Sequence, residues 1–123
     1  MKKIETPKAP KAIGPYSQAV ESNGLVFCSG QIAIDPLTNE FLGGAIEQQT
    51  NRAIENLKIV LEAAGSSLSK AVKVNVYMAD LSEFPKMNEI FSHYFSHKPA
   101  RATIQAAALP RGAKIEMDVV AEK

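Results

Sequence analysis

From residue 46 to residue 64 the chain holds one helical pattern. Ile46, Thr50, Ala53, Ile54, Leu57, Val60, Leu61 and Ala64 recur at the 3.6-residue period, while Glu47, Gln48, Glu55, Lys58 and Glu62 lie off that stripe. A helix that is apolar along one stripe has to bury it against another layer. Gly65 is placed to end this helix in the left-handed conformation. Whatever the rest of the chain forms must therefore supply a broad apolar surface.

The flanking segments read as strands. Tyr16–Glu21 and Leu25–Ile34 are joined by Ser22-Asn23-Gly24, a hairpin signal, and Asp35-Pro36-Leu37-Thr38-Asn39 is turn chemistry. Val72, Val74, Val76 and Met78 alternate with Lys73, Asn75 and Tyr77, as a strand with one buried face requires. A second helix follows, with Ser82 as its cap and Pro85 in the first turn. Its apolar side is formed by Phe84, Met87, Ile90, Phe91, Tyr94 and Phe95, and it stops before Pro99.

The segment 98–118, KPARATIQAAALPRGAKIEMD, predicts a closing hairpin around Pro110-Arg111-Gly112. Its first strand sets Arg101, Thr103 and Gln105 on one face and Ala102, Ile104 and Ala106 on the other. Its second sets Ile115, Met117, Val119 and Ala121 inside, opposite Lys114, Glu116 and Asp118. The order β-β-α-β-α-β-β is that of an α+β sandwich with both helices on one sheet face. The other face, with Asn75, Tyr77, Thr103, Gln105 and many alanines, is neither strongly charged nor strongly apolar, and suits a partner subunit.

At 123 residues the chain fits one domain, residues 1–123, with one core. A net charge of +1 gives no bulk attraction to nucleic acid or anionic lipid, and Lys2, Lys3, Lys8 and Lys11 read as a solvated surface segment. The single cysteine, Cys28, excludes an intrachain disulfide. Met1-Lys2-Lys3 is followed by prolines rather than an apolar run, so neither a signal peptide nor a membrane span is expected. The expected compartment is the cytoplasm.

Few side chains offer chemistry. His93 and His97, four apart in the last turn of the second helix, lack a third ligand for zinc and suit the helix dipole instead. Cys28 lies in an apolar strand and reads as core. Ser29 precedes Gly30, where a ligand could approach the backbone, while Gly43-Gly44 reads as a turn. Arg101, Glu116 and Asp118 remain, on strands flanking one turn. Their spacing allows either a solvated surface or a shared pocket.

These residues carry a resemblance. APKAIGPYSQAV (9–20), FCSGQIAIDPLTNE (27–40), NRAIENLKIVLEAAG (51–65), VKVNVYMADLSEFPKMNEIFSHYF (72–95) and PARATIQAAALPRGAKIEMDVVA (99–121) resemble the RidA family of reactive intermediate deaminases, also called the YjgF family. The resemblance implies a chorismate-mutase-like fold with a mixed sheet. Three subunits would form a trimer around a central barrel, with clefts between neighbours. The implied activity is hydrolysis of 2-imino or 2-enamino acids, such as 2-aminoacrylate, to 2-keto acids and ammonia, without cofactor or metal. It assigns Arg101 to the substrate carboxylate and Glu116 to the hydrolytic water. Tyr16, Ser29, Gly30, Gln31, Asn88 and Thr103 are the remaining cleft residues. Thr103 stands where many members carry cysteine, and Gln105 where glutamate is frequent, which removes a negative charge near the arginine. A small-acid-binding regulatory protein and an RNA-cleaving translation inhibitor are the other activities the resemblance admits. The scattered basic residues and low net charge argue against the latter.

Overall fold

The helical stripe finds its partner in a six-stranded mixed sheet. The computed structural model describes residues 1–123, with strands β1 (Lys2–Ile4), β2 (Ala19–Ser22), β3 (Leu25–Gln31), β4 (Ala71–Met78), β5 (Ala100–Gln105) and β6 (Ile115–Glu122). Helix α1 (Ile46–Ala63) lies between β3 and β4, and α2 (Phe84–Tyr94) between β4 and β5. The sheet order is β1-β2-β3-β6-β4-β5, antiparallel except for the β4–β5 pair. Neither helix is long and apolar enough to cross a membrane.

Ala-to-Ile alternation and a Pro-Arg-Gly turn predict a closing hairpin, but β5 and β6 are not neighbours. Strand β5 runs parallel to β4, reached through α2 as a β-α-β crossover, because a tight turn cannot join parallel strands. Strand β6 then returns between β3 and β4. It alternates buried and half-buried residues along its length, as a central strand with one covered face should. Strand β5, built from Ala, Thr and Gln, is left at the edge.

This pairing also corrects the faces. Arg101 and Thr103 stand opposite the fully buried Val74 and Val76, and Gln105 opposite Met78, so all three belong to the helix-covered side. The open face carries Val20, Phe27, Asn75, Tyr77, Ala100, Ala102, Ile104, Glu116, Asp118 and Val120. Phe27 is 44% and Ile104 50% exposed there, so this face is more apolar than its sequence pattern suggests. Gln105 does not neighbour the arginine: it lies four residues along the strand, and its Oε1 accepts the Leu81 N–H at 2.9 Å.

Smaller expectations also shift. Residues 2–4, read as surface chain, pair with β2. The strand predicted from Tyr16 begins only at Ala19, because Gln18 turns inward: its amide accepts from Thr6 N and donates to the Thr6 and Pro10 carbonyls. Asp80, rather than Ser82, caps the turn before α2, taking the Ser82 N–H at 2.9 Å. His97 falls outside α2, with Nε2 2.8 Å from the Ala71 carbonyl, so it shares no helix face with His93.

The core is one cluster of 23 buried residues between the helices and the sheet. Cys28 belongs to it, and burial, followed by the Asp118 charge, pushes its thiol up to about 12, which makes it inert. Helix α1 ends at Gly65, whose φ of +81° a side chain would resist, and Ser66 N closes the turn onto the Leu61 carbonyl.

Two amides on the buried face of α1 tie loops to it. Asn56 donates to the Ile32 and Ile34 carbonyls at 3.2 and 2.9 Å. Gln49 donates to Gly44 O and accepts from Lys114 N, both at 2.9 Å. These bonds hold the chain leaving β3 and the chain entering β6. Replacing fully buried Asn56 with leucine would leave carbonyls without their donor. Asn56→Leu is therefore expected to cost about 2 kcal/mol, read as a lower urea midpoint at fixed protein concentration with unchanged slope.

Candidate active site

The family-implied residues fall into two groups, on different faces and at different places in the sheet. The first lines a cleft of about 470 Å³ and contains Tyr16, Ser29, Gly30, Gln31 and Glu116. The second surrounds a hollow of about 380 Å³ beside α2 and contains Asn88 and Arg101.

The cleft exists because the β3–β6 ladder breaks. Regular pairing stops at Cys28 and resumes at Gln31, leaving Ser29 and Gly30 in a bulge. Ser29 is held there: its N–H reaches Gln18 O at 2.9 Å and its hydroxyl donates to Ser17 O at 2.6 Å. The Glu116 carboxylate occupies the space a Cβ at position 30 would take, so any larger residue there would push that carboxylate aside. Tyr16 stands at the rim, its hydroxyl accepting the Ile13 N–H at 3.3 Å.

The two carboxylates of β6 have different tasks. Both oxygens of Asp118 are occupied, by Asn75 Nδ2 at 2.8 Å and the Tyr77 hydroxyl at 2.9 Å. Glu116 makes no hydrogen bond or ion pair within the chain. Burial, and secondarily the charge on Asp118, raise its pKa above the ordinary glutamate value. A half-buried carboxylate with no partner, beside an open backbone bulge, is equipped to hold a water and take its proton.

Arg101 is the complementary group. Its Nη1 donates to Asn88 Oδ1 at 2.7 Å, and its guanidinium carbon lies 5.3 and 4.7 Å from the ring centres of Phe84 and Phe91. The aromatic pair and Asn88 fix the fork without neutralising it, since the chain's one ion pair is Lys123–Glu21. Thr103, on the same side, has a hydroxyl with neither solvent nor a hydrogen-bond partner.

Within one chain these groups do not meet. Arg101 stands opposite Val74 and Glu116 opposite Tyr77, on strands either side of β4. Three residues along and two strands across separate their Cα atoms by about 14 Å, and the side chains leave opposite faces. Of the two arrangements the spacing allows, a pocket shared by Arg101 and Glu116 is not formed within one chain. The cleft also contains Lys11, Asn39 and Arg111, which the sequence pattern did not single out. Arg111 sits inside a turn signature, and nothing in its spacing marks it as facing a cleft.

Comparison with known proteins places this arrangement. The model of the family described as Endoribonuclease L-PSP matches residues 6–123. A RutC family protein of Pyrococcus abyssi (strain GE5 / Orsay) is 52% identical over 98% of this chain and 95% of its own length. The Homo sapiens protein named 2-iminobutanoate/2-iminopropanoate deaminase is 44% identical over 96% and 87% of the two chains. Among solved structures, E. coli TdcF with bound serine superposes with a TM-score of 0.94 at 37% identity, covering 100% of this chain and 99% of that one. By the extent of these matches, the chain belongs to the Endoribonuclease L-PSP family, the YjgF/RidA proteins.

Proposed function

We propose that this protein is a 2-imino acid deaminase. The observation that carries the reading is a pair of unspent charges: a pre-oriented guanidinium at Arg101 and an unpartnered carboxylate at Glu116. A protonated 2-imino acid, RC(=NH2+)COO−, needs both. Water adds to the C=N carbon, nitrogen takes up a proton, and the C–N bond breaks to give RC(=O)COO− and NH4+. Arg101 would clamp the carboxylate with two parallel hydrogen bonds. Glu116 would orient the water, accept its proton and pass it to nitrogen, a relay worth roughly 10²–10⁴-fold. The backbone at Ser29 and Gly30 and the Tyr16 hydroxyl would bound the reacting carbon, with Thr103 and Asn88 supporting the arginine end. The human relative's name supports the substrate class, and 2-aminoacrylate and its imine tautomer are the simplest members. The serine in the TdcF structure supports a second reading, small-acid binding without turnover. Keto-acid release separates the two.

We also propose that the working unit is a homotrimer in which Arg101 of one subunit completes the Glu116 cleft of the next. The separation of the two half-sites within a chain supports this. So do the unpaired outer edge of β5 and the apolar open face around Phe27 and Ile104. Light scattering should report about 40 kDa, three times the 13.3 kDa of one chain; a stable monomer would overturn the shared site.

Arg101→Ala and Arg101→Lys should each lose about 2–4 kcal/mol of transition-state binding, roughly 30- to 1,000-fold in kcat/KM, because lysine cannot make the planar two-point contact. Glu116→Gln should chiefly lower kcat. Refolding Arg101→Ala with Glu116→Gln in equal amounts should then recover about one quarter of wild-type activity, since a quarter of the clefts in mixed trimers draw both intact residues from different chains. A site built within one chain would recover nothing.

The pH profile offers a further check. Glu116 must be ionised to take a proton, so its raised pKa moves the acid limb of kcat/KM above the ordinary glutamate range. Asp118→Asn removes the like charge and should shift that limb to lower pH, while burial keeps it above the unperturbed value.

A further inference from the structure

The 470 Å³ cleft holds a cation that the hydrolysis as described does not use. Arg111 lines it together with Glu116, in the loop between β5 and β6. Its backbone is left-handed, φ 56° and ψ 23°, a conformation an arginine adopts at a cost. Its Nη1 makes one long bond, 3.3 Å to the Asn39 carbonyl. Asn39 is itself left-handed at φ 66°, and its side chain accepts the Lys11 N–H at 3.0 Å. One asparagine thus joins three of the segments that wall the cleft, around residues 11, 39 and 111, and Lys11 adds a second cation to the lining. Of the five N–H donors of Arg111 one is engaged, and no carboxylate of the chain lies within ion-pair distance.

We propose that Arg111, held by Asn39, is a second anion subsite, and that the protein therefore accepts 2-imino dicarboxylic acids of the 2-iminosuccinate type. This rests on the deaminase reading above. The substrate's 1-carboxylate goes to Arg101 and its side-chain carboxylate to Arg111, with the C=N carbon over Glu116 between them. The hydrolysis is unchanged: water adds, C–N breaks, and a 2-keto dicarboxylate and ammonium leave. Guanidinium is suited to the task because its fork binds a carboxylate at two points, and the bond to the Asn39 carbonyl holds one Nη at the cleft wall while leaving the other donors free. An imino acid with an alkyl side chain makes no use of this subsite, so Arg111 governs selection between the two classes.

The test is a ratio. 2-Iminosuccinate and 2-iminopropanoate are generated in situ by amino-acid oxidases acting on aspartate and alanine, and keto-acid release above the spontaneous rate is measured for each. The kcat/KM of the dicarboxylic substrate relative to the alkyl one should fall about 10- to 100-fold in Arg111→Met and by less in Arg111→Lys, which keeps the charge but loses the fork. Light scattering and urea midpoints of each variant accompany the kinetics, so that a folding defect, which would slow both substrates alike, is separated from selection. If wild type accelerates the alkyl imine but not 2-iminosuccinate, or if the ratio is the same in Arg111→Met, the subsite is overturned while the deaminase reading stands. If wild type accelerates neither, the deaminase reading itself falls.

Discussion

The crossover from β4 through α2 to β5 is the constraint on which the rest of the site depends. A strand returning through a helix lies parallel to its predecessor, and the register then fixes which face each side chain leaves. Arg101 is delivered to the helix side, beside Phe84, Asn88 and Phe91. Glu116, on the strand inserted across β4, is delivered to the open side. No rotamer brings two groups across a packed sheet. A single copy of this chain can thus prepare both charges without letting them neutralise each other, and the proposed trimer is the arrangement that would bring them together.

Buried amides give this arrangement its rigidity. Gln18, Gln49 and Asn56 are each nearly or fully buried, and each satisfies backbone groups of a loop that would otherwise have no ladder to join. Their contribution is geometric as much as energetic. An amide that donates and accepts at once fixes where a loop sits, whereas an apolar contact would let it slide. The bulge at Ser29 and Gly30 can then stay open, because the segments on both sides are pinned.

Much of this was legible in the sequence, and the exceptions have physical causes. Helix α1 and the inward face of β6 follow from period alone, since each buries one clean stripe; β4 does so only from Val74 onward, because its ladder with β6 shifts register between Ala71 and Lys73 and leaves Val72, predicted to be buried, 39% exposed. The partner of β5 does not: a Pro-Arg-Gly turn between two alternating runs looks the same whether the second run folds back beside the first or passes over a third strand. Its faces were misread for a related reason. Ile104 and Ala102 look like core, yet they sit on the open face of an edge strand, exposed rather than packed beneath the helices. The side chains implied by family resemblance were found as two clusters, but their division between faces is a property of register. Arg111 was hidden because a turn residue's direction depends on a left-handed φ that only the folded loop reveals.

The outer edge of β5 has a consequence beyond catalysis. Residues 100–105 present a row of backbone donors and acceptors along one side, with Ala102 and Ile104 exposed and the one charge, Arg101, turned toward the helix. Such an edge is a template for any extended chain, and proteins usually blunt it with lysine, proline or a bulge. Here none of these stands within the strand. The proposed trimer would cover this edge, and a newly made chain would carry an aggregation hazard until it closed. A ring that closes ends the sequence of pairings, whereas one that stays open extends it toward fibre. In the proposed trimer, solubility would depend on how quickly copies find one another, and a substitution that slows that encounter would surface as precipitation before it surfaced as lost turnover.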